Sequence, residues 1–314
     1  MPLRILFMGT ADLAGACLNA LLASDQFDVV AAVTRPDRPQ GRALRPRPSI
    51  VKTISEKAGR PVLQPPSARD PALAGALGAL RPEVIVVAAY GQILPQPLLD
   101  LPAFGCLNVH ASLLPKYRGA APVQWAILNH EPETGVSIMK MTAGLDRGDV
   151  LSRRATPIGP DETAAGLQER LAAMGAELLV ATLPPYVAGA ITPQPQDEAA
   201  ATYARKITKQ DGRMDWTQPA LALRNRIRAF TPWPGAYGYW AARGGPRLLK
   251  FWRAQIEPRQ GPPGQVLQAG KAGLVVACGT DALRVEQLQL EGGRKMTAAE
   301  FLAGHDLQPG ASIA

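Results

Sequence analysis

The sequence predicts a two-part α/β protein: an open, mostly parallel sheet flanked by helices, then a small all-β barrel or sandwich. Three observations predict it. Through residue 183, short apolar runs alternate with stretches of helical spacing, the rhythm of βαβ units. That pattern collapses where Pro184, Pro185, Pro193 and Pro195 share a stretch with Gln, Asp and Glu, which reads as an extended inter-domain linker. Several short strand-like runs separated by glycine-containing turns follow it.

The elements can be taken in order. Residues 3–8 form a short apolar run, followed by Gly9 and a helical stretch through Leu13, Cys17 and Leu21. Residues 29–34 are enriched in β-branched side chains and read as a strand. A loop rich in Pro, Arg and Gly covers residues 35–48, and Ile50, Ile54 and Ala58 then have helical spacing. Residues 84–89 are continuously apolar, as a strand buried on both faces requires, and residues 105–109 form another strand. Residues 136–141 alternate, which places them near a sheet edge. Residues 161–183 form a helix with Leu167, Leu171, Met174 and Leu178 on one face. In the second part, Thr217 is positioned to cap a helix through Leu223, Ile227 and Phe230. Strands are expected at residues 237–242, 248–253, 265–267, 274–278 and 282–290. Thr297 and Glu300 have capping-box spacing for a last short helix that Gly304 ends. The domain boundaries are placed at 1–189, 190–207 and 208–314.

Composition narrows the class. Of 314 residues, 46% are hydrophobic and 19% charged, which excludes disorder, collagen and coiled coil as the main architecture. The longest apolar stretch, residues 84–90, is far short of the ~20 residues of a membrane helix. Gly9 and Asp12 interrupt the first apolar run too early for a secretory signal. Cys17, Cys106 and Cys278 are far apart and read as buried thiols of a cytoplasmic protein. The three histidines, His110, His130 and His305, form no metal-ligand pattern, so no metal is expected. The net charge of +8 is unevenly placed: residues 205–259 hold 12 basic and 3 acidic residues. A block of that kind suits a polyanion, or is simply a solvated face.

Several motifs can be set aside. The segment 9–15 is not G-x-G-x-x-G, and residues 264–271 miss the phosphate-loop spacing by one residue. No G-x-S-x-G occurs. The informative segment is Asn108-Val-His-Ala-Ser-Leu-Leu-Pro-Lys-Tyr-Arg-Gly119. It starts at the carboxyl end of an expected buried strand, where open α/β sheets bind ligands. Asn108 and His110 point to one side of an extended chain. An amide N–H can serve a developing oxyanion, and an imidazole can move a proton or donate a hydrogen bond. A second cluster, Gly144-Leu-Asp-Arg-Gly-Asp149, follows the strand at 136–141 and can supply a carboxylate that orients the histidine or joins in proton transfer.

This combination resembles the folate-dependent formyltransferases, whose signature matches Asn108, His110, Asp146 and Ser112-Leu-Leu-Pro115. Thr34-Arg-Pro-Asp-Arg-Pro-Gln-Gly-Arg42, Ala89-Tyr-Gly-Gln-Ile-Leu-Pro95 and Arg118-Gly-Ala-Ala-Pro-Val-Gln124 are similar to the tRNA-acting members of that family. So are Tyr203-Ala-Arg-Lys-Ile-Thr-Lys209, Asp211-Gly-Arg-Met-Asp-Trp216, residues 226–235 and Gly293-Arg-Lys-Met296, in family order. The family more often has a small or hydroxyl residue where Arg147 stands, and often lysines where the basic loop has Arg42-Ala-Leu-Arg-Pro-Arg47.

The resemblance implies a Rossmann-like formyltransferase domain and a carboxy-terminal OB-like barrel. It implies 10-formyltetrahydrofolate as formyl donor and the methionine α-amine of initiator methionyl-tRNA as acceptor. Catalysis is then assigned to Asn108, His110 and Asp146. The folate pocket is assigned to Ser112, Leu113, Leu114 and Pro115, with Tyr90, Ile93 and Leu94 lining it or serving as ordinary core. Ser112 as a nucleophile is conceivable but needless for direct transfer. Arg42 and Arg45 fall in the loop at 35–48, read as mobile and engaging the acceptor end of the RNA. Lys206, Lys209, Arg213, Arg224 and Arg228 are candidates for phosphate contacts. Trp216, Trp233 and Trp252 interleave with them, as stacking platforms or as barrel core. Nothing demands more than a monomer. The rival readings are formylation of a small amine such as an amino sugar or a glycinamide nucleotide, a catalytically dead nucleic-acid module, and a formyl-folate hydrolase.

Overall fold

The computed structural model describes residues 1–40, 45–242, 244–271 and 273–314. The chain forms two compact units. The first comprises residues 1–122, 133–157 and 168–204; the second comprises 123–132, 158–167 and 205–314.

A seven-stranded sheet organises the first unit. Its strands in chain order are β1 (Leu3–Gly9), β2 (Phe27–Val33), β3 (Val62–Leu63), β4 (Val84–Ala88), β5 (Cys106–His110), β6 (Glu133–Lys140) and β7 (Val150–Pro157). Across the sheet the order is β7-β6-β5-β4-β1-β2-β3. The five strands from β3 to β5 are parallel, and β6 and β7 each run antiparallel to the neighbour before them. The expected open, mostly parallel α/β sheet is therefore present. Every residue of β4 is buried, which is why that strand reads as an unbroken apolar run. Helix α1 (Asp12–Leu22) follows β1, and α2 (Ile50–Lys57) is capped by the Ser49 hydroxyl, which accepts from the Lys52 N–H.

Residues 136–141 lie near a sheet edge, as expected: β6 is the neighbour of the edge strand β7, and it buries six consecutive residues. Strand β7 escapes detection because Arg153 and Arg154 make it read as polar, and charge of that kind suits an exposed edge. The long helix α3 (Ala164–Val187) also runs past the expected end at residue 183, with Pro184 and Pro185 in its last turn. Beyond it, residues 190–204 belong to the first unit and are irregular or extended apart from a 3₁₀ turn at Glu198–Ala200. Gln194 bridges Val150, and Tyr203–Ala204 pairs in parallel with Arg118–Gly119.

The second unit is built on a curled antiparallel sheet. Its strands are β8 (Ala236–Ala242), β9 (Gly245–Glu257), β10 (Val266–Gly270), β11 (Gly273–Ala277), β12 (Ala282–Leu290) and β13 (Met296–Thr297). Their order is β8-β9-β12-β11-β10, with β13 on β12. Irregular register in β9, on either side of Arg253, accompanies the curl of this OB-like half-barrel. Trp216 packs edge-on against Phe251 at 5.5 Å, and Trp240 lies against Phe301. Helix α4 (Ala220–Ala229) contributes Leu223 and Ile227 to the same core. Thr217 does not cap this helix. Its hydroxyl donates to Asp215, and the helix starts after Pro219, whose ring presets the helical φ. Helix α5 (Ala298–Gly304) has both halves of its capping box, as expected.

All three cysteines are buried, and burial pushes each thiol up to about 12. Among the described residues, no helix is long and apolar enough to cross a membrane. Arg42 lies outside the described residues. Arg45 begins a short strand, Arg45–Arg47, that pairs with Arg38–Gln40.

Candidate active site

Strand β5 places two polar side chains on one face. Val109 points the other way, into the space that Gly175 of α3 leaves open. Asn108 and His110 thus share the face opposite α3. Asp146 reaches them from the β6–β7 connection, residues 141–149. Because β6 is antiparallel to β5, its last residue pairs near the start of β5, so this connection must fold back toward His110. The Lys140 N–H donates to the Asp149 carbonyl at 2.8 Å and closes the base of the excursion. At Gly148 a Cβ would come within 1.6 Å of the Lys140 carbonyl, so only glycine fits that turn. Asp146 itself has φ of +52°, the left-handed region that few residues other than Gly, Asn and Asp adopt.

The three side chains meet. Asp146 Oδ2 is 3.8 Å from His110 Nδ1, and Oδ1 is 3.5 Å from Asn108 Nδ2. The Gly119 N–H donates to Asp146 Oδ2 at 2.8 Å. His110 and Asp146 are mostly shielded from water, whereas Asn108 keeps partial exposure. On the far side of the ring, His110 Nε2 lies 2.7 Å from the Tyr117 carbonyl. A carbonyl only accepts, so Nε2 carries the hydrogen and Nδ1 is the nitrogen free to exchange a proton. A proton arriving on Nδ1 faces the Asp146 carboxylate, so positive charge developing on the ring has a partner.

Ser112 is fully buried. Its hydroxyl donates to the Tyr117 carbonyl at 2.9 Å and accepts from the Tyr117 N–H at 3.1 Å. It shapes the loop and is not disposed as a nucleophile. Leu114 is also buried, with its N–H on Ser137 Oγ, whereas Leu113 and Pro115 are half-buried. Tyr90 and Leu94 belong to the apolar core of the first unit, and Ile93 is 61% exposed. The buried Tyr90 hydroxyl has no hydrogen-bond partner, and burial raises its pKa. A cavity of about 310 Å³, lined in part by Gln96, Asp100, Gly105 and Lys140, lies at the amino-terminal end of β5 and includes none of the three polar residues.

The basic candidates divide. Lys206, Lys209 and Arg213 are exposed. Arg224 instead pairs with Asp161 at 2.6 Å. Arg228 is buried and donates to the carbonyls of Gly159 and Glu162 and to Asn225 Oδ1. These two guanidinium groups brace the second unit internally. Trp216 is core, Trp233 is exposed, and Trp252 lies under Lys295, with Nζ 3.6 Å from the ring centre. Sequence reasoning missed Lys295 in that role. It also missed Gly119, Tyr117, Gln196 and Arg118 around this polar cluster, because each acts through a backbone group or a contact distant in sequence.

The fold is that of an α/β enzyme, and this cluster gathers an amide, an imidazole and a carboxylate at one strand end, groups that acyl transfer can use. The chain belongs to the formyl transferase family. A model of the formyl transferase domain matches residues 3–183, and a model of the formyl transferase C-terminal domain matches residues 206–306. The chain is 48% identical over 308 residues to the methionyl-tRNA formyltransferase of Citrifermentans bemidjiense, covering 98% of this chain and 95% of that protein. It is 50% identical over 307 residues to the methionyl-tRNA formyltransferase of Myxococcus xanthus, covering 98% and 96%. Among solved structures, HypX from Aquifex aeolicus in complex with tetrahydrofolic acid has a TM-score of 0.63 at 19% identity. That match covers 96% of this chain but only 47% of HypX, so the chain spans about half the length of that protein. An N-formyltransferase from Helicobacter canadensis, in complex with folinic acid and dTDP-3-aminofucose, has a TM-score of 0.65 at 16% identity, covering 91% and 99%. Both structural likenesses bear on the fold alone.

Proposed function

We propose that this protein transfers the formyl group of 10-formyltetrahydrofolate to the α-amine of methionine on initiator methionyl-tRNA, for translation initiation. The observation that carries the reading is similarity near 50% identity along almost the whole chain, carboxy-terminal domain included, to proteins named for that reaction. The small-amine alternative has weaker support, since the sugar-acting neighbour is related only at the level of fold. The reading places the enzyme in the cytoplasm, as a monomer. It gives catalysis to residues 1–189 and tRNA holding to residues 208–314, joined by residues 190–207.

The folate supplies a formyl carbon bound to N10. Tyr90, Ile93, Leu94 and the loop at 112–115 are assigned to its binding. An α-amine has a reference pKa of ~7.7–8.0, so only a minority is neutral and nucleophilic near pH 7. As the amine nitrogen bonds to the formyl carbon, negative charge collects on the formyl oxygen. The partly exposed Asn108 amide donates to it. The nitrogen sheds a proton, N10 must gain one as its bond to carbon breaks, and His110 Nδ1 is assigned to carry it. Asp146 balances the charge that visits the ring. Lys206, Lys209 and Arg213, with Arg42 and Arg45 from the first unit, are assigned to the RNA; Arg224 and Arg228 are assigned to support it indirectly.

The test is formyl transfer to charged initiator tRNA, with elongator methionyl-tRNA, free methionine and amino sugars as competitors. A strong preference for the initiator that weakens as salt rises is the expected result. Transfer to small amines in place of tRNA overturns the substrate and leaves the chemistry.

A further inference from the structure

We propose that Gln196 is a positioning residue for this reaction, holding Asp146 at its station beside His110 and Asn108. The proposal rests on the reading of Asp146 given above. Gln196 belongs to the stretch that reads in sequence as a plain linker, yet it is only 9% exposed. Its Nε2 donates to two carbonyl oxygens, Asp146 O at 2.8 Å and Gly148 O at 2.7 Å. Its Oε1 accepts from Arg118 Nε at 3.1 Å. Both amide hydrogens and the amide oxygen are therefore in use.

The two carbonyls bracket the tight part of the catalytic loop. Asp146 holds a left-handed backbone, and Gly148 sits against the Lys140 carbonyl. A residue in such a conformation stays there only when its surroundings over-determine it. Gln196 fixes the loop backbone, and the Gly119 N–H fixes the carboxylate. Both restraints run through one residue. Arg118, which immediately precedes Gly119, is fully buried and makes a bidentate pair with Glu198, with contacts of 3.0 and 2.8 Å. Its backbone N–H also donates to the Thr202 carbonyl. The pairing holds the Glu198 carboxyl below its usual range. The segment at 196–204 thus acts as a strap that locks Asp146 from two directions.

Three variants, Gln196→Ala, Gln196→Glu and Asp146→Asn, and the Gln196→Ala/Asp146→Asn double variant test this. Gln196→Glu keeps an acceptor for Arg118 but presents no donor pair to the two carbonyls. It separates loop holding from mere support of Arg118, and it carries the test if Gln196→Ala does not fold. The expected result is a loss of roughly 10²-fold in kcat for both single Gln196 variants, with KM for tRNA and folate unchanged, because a misplacement near 1 Å has that effect. In the Asp146→Asn background, Gln196→Ala adds little, the mark of two residues acting as a unit. Gln194→Ala, an exposed change just before the strap, turns over like the parent. Wild-type kcat in Gln196→Glu, or full multiplication of the losses in the double variant, overturns the proposal. Parent-like turnover of Asp146→Asn instead removes the reading of Asp146, and this inference with it.

Discussion

His110 shows how much chemistry one backbone contact can decide. The Tyr117 carbonyl assigns the hydrogen to Nε2, which leaves Nδ1 facing Asp146 as the exchangeable site. Two consequences can be measured. Asn108→Ala takes away the oxyanion donor proposed above and should lower turnover by ~10²–10³-fold. His110→Ala takes away the proposed proton carrier and should lower it by ~10²–10⁴-fold. In both variants tRNA binding should survive, because neither residue lies among the basic side chains assigned to RNA. Parent-like turnover in either one would sink its role. At this scale the sequence was informative where a residue carries its own chemistry. Asn108 and His110 could be named from type and spacing, Asp146 was singled out by the family resemblance, and the structure brings the three together. Gly119 and Gln196 could not be, since their parts are played by an N–H and by a contact 50 residues from Asp146.

Elements were legible where burial is uniform or a local motif closes within one turn. The fully buried β4 and the Thr297–Glu300 box are of this kind. Strand β7 was missed because its exposed arginines mask the period, and the fold-back at 141–149 follows from an antiparallel pairing that no local signal announces. The capping box makes its own prediction. Thr297→Ala should cost about 1 kcal/mol in the stability of the second unit, measured by urea unfolding. Glu300 adds a pH signature. The Thr297 backbone N–H, then the Arg294 side chain and the Thr297 hydroxyl, pull its carboxyl from 4.5 down to about 2. A depressed carboxyl stabilises fully above its unfolded pKa and loses that contribution as pH falls through its folded one. The melting temperature of the parent should therefore fall more steeply between pH 4.5 and 2 than that of Glu300→Gln. Parallel curves would show that the box does not hold in solution.

At the scale of the whole molecule, the basic excess of residues 205–259 divides between surface and interior. Arg224 and Arg228 are committed to Asp161 and to backbone carbonyls, while Lys206, Lys209 and Arg213 face solvent. Charge counting could not make that distinction, because a guanidinium has the same sign whether it meets water or a buried carbonyl. Plots of log K against log salt for tRNA should lose about one unit of slope for each of Lys206→Ala, Lys209→Ala and Arg213→Ala if each meets a phosphate. The same plots for Arg224→Ala and Arg228→Ala should keep their slope while thermal stability drops.

The buried thiols carry a practical consequence. With Cys17, Cys106 and Cys278 enclosed and poorly ionised, the folded chain offers little thiolate to an alkylating reagent. A single exposed replacement such as Lys209→Cys should therefore accept a maleimide dye selectively on the otherwise native chain. Fluorescence could then report on the surface proposed to meet RNA without stripping the protein of its own cysteines.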